Sequence, residues 1–203
     1  MHISDGVLSV PVAVVTTVAA GALIAYSLKG IKEEDIPKIS LMTGAFFALS
    51  LIHIPIGPTS IHLMLGGLMG LILGRRAPIA FFIGLLLHLI LFQHGGLTTL
   101  GVNTLLMAIP ALCAAKIYTL MKTNFVLLKG CVVGGFNVAM TVLLLILVLF
   151  ISDTRYWDGF FSVINILIAG HVPLLVIEAL VTGFAVKFLF SVRPNIFDKS
   201  ITG

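Results

Sequence analysis

Val138-Ala139-Met140-Thr141-Val142-Leu143-Leu144-Leu145-Ile146-Leu147-Val148-Leu149-Phe150-Ile151 holds one hydroxyl and no charge. Extended back to Phe125, the apolar run has Lys129 as its only charged residue. A helical membrane span needs roughly 20 mostly apolar residues, and this stretch exceeds that. The rest of the chain agrees with it. Of 203 residues, 59% are hydrophobic and 10% are charged, and the mean hydropathy is +1.18. Ordinary globular domains are about 25% charged, so 20 charges cannot cover a soluble surface of this size. Disorder, a collagen repeat and a disulfide scaffold are excluded as well, because charge is low, glycine has no period and there are two cysteines. The sequence therefore predicts a single all-α domain, residues 1–203, embedded in a lipid bilayer.

Spans are predicted near 8–28, 38–54, 61–74, 77–93, 99–118, 125–151 and 173–190. Pro173 biases Val172 away from helix, which would leave 160–170 as an outer interfacial piece. Lys29, Lys32, Lys38, Arg75, Arg76, Lys116, Lys122, Lys129, Lys187, Arg193 and Lys199 all fall in or beside alternate connections. Arg155 alone lies on the opposite side. The positive-inside rule makes the populated side cytoplasmic. Seven transmembrane helices follow, with the N-terminus outside, the C-terminus cytoplasmic and the chain multi-pass in the cell membrane. The basic balance thus describes orientation and implies no nucleic-acid partner.

Met1 to Val10 has no Lys or Arg and includes Asp5, unlike the basic start of a signal peptide, so the first span is expected to be retained. Cys113 and Cys131 sit on the cytoplasmic half, where packing as small apolar side chains is the expectation. Gly21 and Ala25, with Ala19-Ala20 nearby, present small residues for close helix approach, within the bundle or to a partner.

All six histidines (His2, His53, His62, His88, His94 and His171) are expected on the extracytoplasmic half. Histidine is the commonest metal ligand and the usual pH switch. Met1-His2 adds a chelating geometry. The Met1 amine and the His2 amide nitrogen close a five-membered ring on a metal, and the His2 amide nitrogen and Nδ1 close a six-membered one. Three nitrogens then lie in one plane, an arrangement suited to Ni(II) and Cu(II) rather than tetrahedral Zn(II). His62, at the outer mouth of the third span, is the first choice for the fourth nitrogen. Taken singly, a terminal His2 and a helix-end His62 are ordinary polar residues. The conjunction points to metal, and a bulky second residue is expected to preserve the initiator methionine.

Four segments carry a resemblance. Met1-His2-Ile3-Ser4-Asp5-Gly6, Pro55 through Leu63, His94-Gly95-Gly96-Leu97-Thr98-Thr99-Leu100-Gly101-Val102-Asn103, and Gly170-His171-Val172-Pro173 with Ile177-Glu178-Ala179 together resemble the CbiM/NikM family. These are membrane substrate-binding components of energy-coupling-factor nickel/cobalt transporters. The resemblance covers nearly the whole chain. It implies Ni(II) or Co(II) as bound substrate, held by the Met1 amine, the His2 amide nitrogen and imidazole, and His62. It also implies a transmembrane coupling subunit and a pair of cytoplasmic ATPases as partners. No GxxxxGK[ST] occurs here, so no ATP is expected on this chain. The sequence stops soon after the last span, so a small accessory membrane subunit is expected to be separately encoded or unneeded.

Other signature residues keep two readings each. His94 and Asn103 order the outer loop over the metal and fix the imidazoles, or cap helices around Gly95-Gly96. Ser60 donates to a ligand or caps a helix. Glu178, a costly acid within a span, pairs with His171 or touches the metal. His53 and His88 form a metal-entry relay or are hydrogen-bonded structural histidines. The rival functions are an intramembrane metalloenzyme, which HExxH or paired intramembrane acids would mark, and a passive divalent-metal permease, which several buried acids or inverted repeats would mark. None of those marks is present in the sequence.

Overall fold

The computed structural model of the chain describes residues 3–56, 59–153, 163–193 and 197. Its helices are α1 (Val10–Leu28), α2 (Ile36–Ser50), α3 (Gly66–Leu73), α4 (Ala77–Phe92), α5 (Leu100–Leu120), α6 (Val126–Ser152) and α7 (Val163–Val192). Short 3-10 turns at Glu33–Asp35 and Gly74–Arg76 precede α2 and α4, and strands β1 (His53–Ile56) and β2 (Thr59–His62) form one antiparallel hairpin. Proline stands in the first turn of α1, α2 and α4, where its missing N–H costs nothing and its fixed φ suits the helix.

Among the described residues, five helical runs are long and apolar enough to cross a membrane: Val10–Leu28, Gly66–Phe92, Leu100–Leu120, Val126–Ser152 and Ile164–Val192. The second of these turns back on itself. His62 and His88 pack against the same Phe46 ring, with centroids 6.2 and 6.3 Å from it. A straight helix would separate two residues 26 apart by about 39 Å. The reversal falls at Gly74, which adopts φ 51° and ψ −125°, a conformation open to glycine alone without strain.

Contacts between connections assign each helix end to one of two sides. Asp5 meets the Leu97–Thr98 backbone, and the Ser9 amide donates to Ser152 Oγ at 2.6 Å. At the opposite side, the Arg76 guanidinium donates to the carbonyls of Ser27, Lys29 (2.9 Å) and Gly30 (2.6 Å), and pairs with Asp35 at 3.2 Å. Lys129 lies 4.6 Å from the Tyr118 ring centroid, and Phe197 stacks near that ring. The basic connections therefore share one end of the bundle.

α3 and α5 form the centre, while α1 is peripheral. Every residue from Gly66 to Leu71 is buried, as are Val102, Leu106, Met107, Ala108, Ala111 and Ala114 of α5. The backbones of α3 and α5 touch: a Cβ on Gly70 would stand 2.1 Å from the Ala111 carbonyl oxygen. α6 and α7 pack the same way, Gly130 against Gly183. On α1, Gly21 and Ala25 are exposed and a Cβ on Gly21 would meet nothing. That small face is not used for packing within the bundle.

Three expected spans need correction. The segment 38–54 is helical only to Ser50, and 61–74 is strand residues followed by the eight-residue α3, about 12 Å long. Pro55 forces Ile54 out of the helical region, and its neighbours pair as a hairpin, Ile54 with Ile61 and His53 with His62. Pro173 does not divide the last segment, for α7 runs through it from Val163 to Val192. A membrane helix tolerates an internal proline where neighbouring groups satisfy the freed carbonyl.

Candidate metal-capture site

The N-terminal segment is tied into the same end of the bundle as the loop before α5. Ile3 is 1% exposed. Its N–H donates to Asn103 Oδ1 at 2.8 Å, and its carbonyl accepts from Asn103 Nδ2 at 3.0 Å and Thr99 Oγ1 at 2.8 Å. Two residues further, the Asp5 carboxylate accepts from the Leu97 and Thr98 amides at 3.2 and 3.1 Å and from Thr98 Oγ1 at 2.5 Å. Met1 and His2 lie outside the described residues. So do the side chains of Ser60 and His53, whose backbones take strand positions, His53 directly across from His62.

His62 is 2% exposed at the end of β2. Its Nδ1 lies 2.9 Å from the Leu63 carbonyl oxygen. A carbonyl only accepts, so Nδ1 holds the proton and Nε2 keeps its lone pair. A histidine that ligates through one nitrogen and fixes the other by a hydrogen bond is the usual metal-site arrangement. His62 and His88 flank the same Phe46 ring, at 6.2 and 6.3 Å between centroids.

The remaining histidines differ in attachment. His88 is buried, its Nε2 2.5 Å from Ser50 Oγ and its ring 4.8 Å from that of Phe47. The half-exposed His94 ring lies 6.1 Å from that of His88. His171 is buried with Nδ1 at 2.6 Å from the Leu167 carbonyl.

Glu178 does not pair with His171. The two are seven residues apart on one helix, about 10 Å along its axis. Instead, Oε1 accepts the backbone amides of Met64 and of Leu65, the latter at 2.9 Å. Oε2 has no hydrogen-bond partner among the described residues, and the same holds for Asn137 Oδ1 and Thr182 Oγ1 beside it on α6 and α7. Neither Asn137 nor Thr182 stands out in the sequence, since single polar residues within spans are ordinary packing partners. Thr99 and Asp5 are likewise evident only in the folded chain, although Asp5 is one of few acids expected at that end.

Among the described residues, no three His, Cys, Asp or Glu side chains gather as a metal-holding group. The nitrogen set expected from the sequence takes one donor from them, His62.

Comparison with known proteins places these features. The chain is 32% identical over 205 residues to a putative metal transport protein of Haemophilus influenzae, and the match covers 98% of each. It is 27% identical to a putative fused cobalt transport protein CbiMQ of Methanocorpusculum labreanum, covering 97% of this chain and 36% of that one. A crystal structure of a transition metal transporter shares the fold, with a TM-score of 0.83 at 24% identity over 95% of this chain and 93% of that one. Residues 2–196 match the family model CbiM, described as the cobalt uptake substrate-specific transmembrane region. With its apolar helices and its match from end to end, this multi-pass membrane chain belongs to the CbiM family of metal transport proteins.

Proposed function

We propose that this chain is the substrate-capturing membrane component of an ATP-driven energy-coupling-factor transporter for Ni(II) or Co(II), with a preference for Ni(II). The donors are the Met1 amine, the His2 amide nitrogen, His2 Nδ1 and His62 Nε2. Four nitrogens in a tetragonal plane suit Ni(II) best among the two. The observation that carries the reading is the seating of Ile3 by Asn103 and Thr99. Two residues precede Ile3 and reach at most about 7 Å, so the chelating terminus works from an anchored base. The fixed tautomer of His62 supports the fourth donor. His94 and Ser60 order the loops over the bound ion.

The chain crosses the membrane seven times, with α2, and α3 together with its hairpin, completing the count, the N-terminus outside and the basic end in the cytoplasm. A hairpin at membrane depth is tolerated when protein surrounds it, and both of its strands contact α7. Partners supply energy: a transmembrane coupling subunit and cytoplasmic ATPases, since no phosphate-binding motif is present. A relative that bears the fused name CbiMQ supports a coupling partner.

The test is a nickel titration of the purified protein, with mass spectrometry verifying that Met1 is retained. Acetylating the terminus, or inserting one residue after Met1, should abolish tight binding, as should His62→Ala. Undiminished affinity after terminal modification sinks the chelate, and undiminished affinity of His62→Ala removes the fourth donor. Competition between Ni(II) and Co(II) decides the preference.

A further inference from the structure

Between His62 and the start of α3 stand Leu63, Met64 and Leu65. The peptide group joining Leu63 to Met64 is bonded on both sides. Its carbonyl oxygen lies 2.9 Å from His62 Nδ1, and its N–H donates to Glu178 Oε1. In a trans peptide these two groups point in opposite directions. The histidine and the carboxylate therefore hold one rigid plane by its two opposite edges. The next amide, Leu65 N–H, goes to the same carboxylate oxygen at 2.9 Å.

Leu65 has φ 51° and ψ 18°, a left-handed conformation uncommon for a branched L side chain. It is the residue before α3, and no side chain of its own caps that helix. The first amides of a helix have no partner within it. Glu178, 0% exposed in the middle of α7, supplies one and holds the left-handed turn in place.

We infer that Glu178 is a positioning residue for His62, acting through the Leu63–Met64 peptide and resting on the reading of His62 as a metal donor. Two effects follow from the chain carboxylate, peptide, imidazole. The peptide plane cannot rotate, so the ring that bonds to it is held in one orientation. An acceptor on the N–H side also polarises the carbonyl, and linked hydrogen bonds strengthen one another. A stronger bond at Nδ1 raises the donor strength of Nε2. The link also ties the donor to α7, which is locked to α6 through the Gly130–Gly183 contact. Any shift of α7 relative to α3 re-aims His62.

The experiment compares two conservative variants of the full chain in lipid nanodiscs, each verified as helical by circular dichroism. Glu178→Gln keeps an oxygen at the same reach and removes the charge. Glu178→Asp keeps the charge and draws the oxygen back by one methylene. Nickel affinity is read by calorimetry, the planar complex by its d–d absorption, and the metal-free His62 tautomer by nitrogen NMR of labelled imidazole. Glu178→Gln should bind within about tenfold of the unaltered protein, with the same absorption and an Nδ1–H tautomer. Glu178→Asp should lose about 10- to 100-fold, the range for partners that orient a ligand, and show a mixture of tautomers. Asp binding as tightly as the unaltered chain, or the reverse order of the two variants, overturns the inference. The tautomer reading needs no metal. An unaltered protein that fails to bind nickel therefore defeats the capture reading while the spectrum still decides the role of Glu178.

Discussion

Asn103 pairs with the backbone of Ile3 as a neighbouring strand would, taking its N–H on Oδ1 at 2.8 Å and giving Nδ2 to its carbonyl at 3.0 Å. A carboxamide presents a donor and an acceptor side by side in one plane, as a backbone strand does. Asn103→Ala removes both bonds and leaves the buried Ile3 N–H unpaired, at about 1–3 kcal/mol, while the Ile3 carbonyl keeps Thr99 Oγ1. Nickel affinity should fall by at least about tenfold, since tenfold corresponds to 1.4 kcal/mol. Hydrogen exchange at the Ile3 amide should rise in parallel. Slow exchange in the variant would remove Asn103 as the anchor.

Asn103→Asp sharpens the same point. The variant keeps an acceptor for the Ile3 N–H and sets a second acceptor against the Ile3 carbonyl. It should bind nickel no better than Asn103→Ala, whereas a role limited to accepting one bond would leave it near the unaltered affinity.

Metal binding requires deprotonated donors. Reference values are about 7.7–8.0 for an α-amine and about 6.5 for histidine. Protonation of either competes with the metal, so affinity should be highest above about pH 8 and fall as pH drops through that range. A nickel titration that is flat with pH would exclude the amine and imidazole as donors.

At the basic end, Arg76 satisfies three carbonyls of the turn after α1 and pairs with Asp35. Arg76→Lys retains charge and loses the fork that reaches several acceptors at once. Thermal unfolding in detergent should show a loss of about 1.5–3 kcal/mol or more, the scale of a hydrogen bond to a charged group. An unchanged melting temperature would show that the turn holds without it.

Gly70→Ala places a methyl 2.1 Å from the Ala111 carbonyl oxygen. Backbone cannot yield as a flexible side chain can, so α3 must move away from α5. Overpacking of this kind costs about 1–3 kcal/mol, and the displaced α3 should weaken nickel binding as well, because His62 stands just before it in the chain. Gly21→Ala, open on all sides, is the matched control and should change neither measurement.

Much of the helical framework was legible from residue order alone. The expected 8–28, 77–93, 99–118 and 125–151 appear as Val10–Leu28, Ala77–Phe92, Leu100–Leu120 and Val126–Ser152. Hydropathy suffices there because each residue meets the same apolar surroundings whatever its neighbours are. It failed at His53–His62, where apolar isoleucines keep the average high while Pro55 and the strand pairing decide the geometry. It failed again at Pro173, since whether a helix survives a proline depends on what packs beside it.

The candidate site divides along the same line. By itself, the sequence determined the membrane class, the gathering of basic residues at one end and the histidine-rich character of the other. Placing a charge in lipid is costly for any chain, so these follow from composition and position. Tertiary structure alone decided that Asn103 holds Ile3, and that Glu178 serves the peptide beside His62 rather than His171. The Met64 amide and Glu178 stand 114 residues apart. A buried polar group must take whatever partner the packed helices bring within about 3 Å, and no local pattern records which one that is.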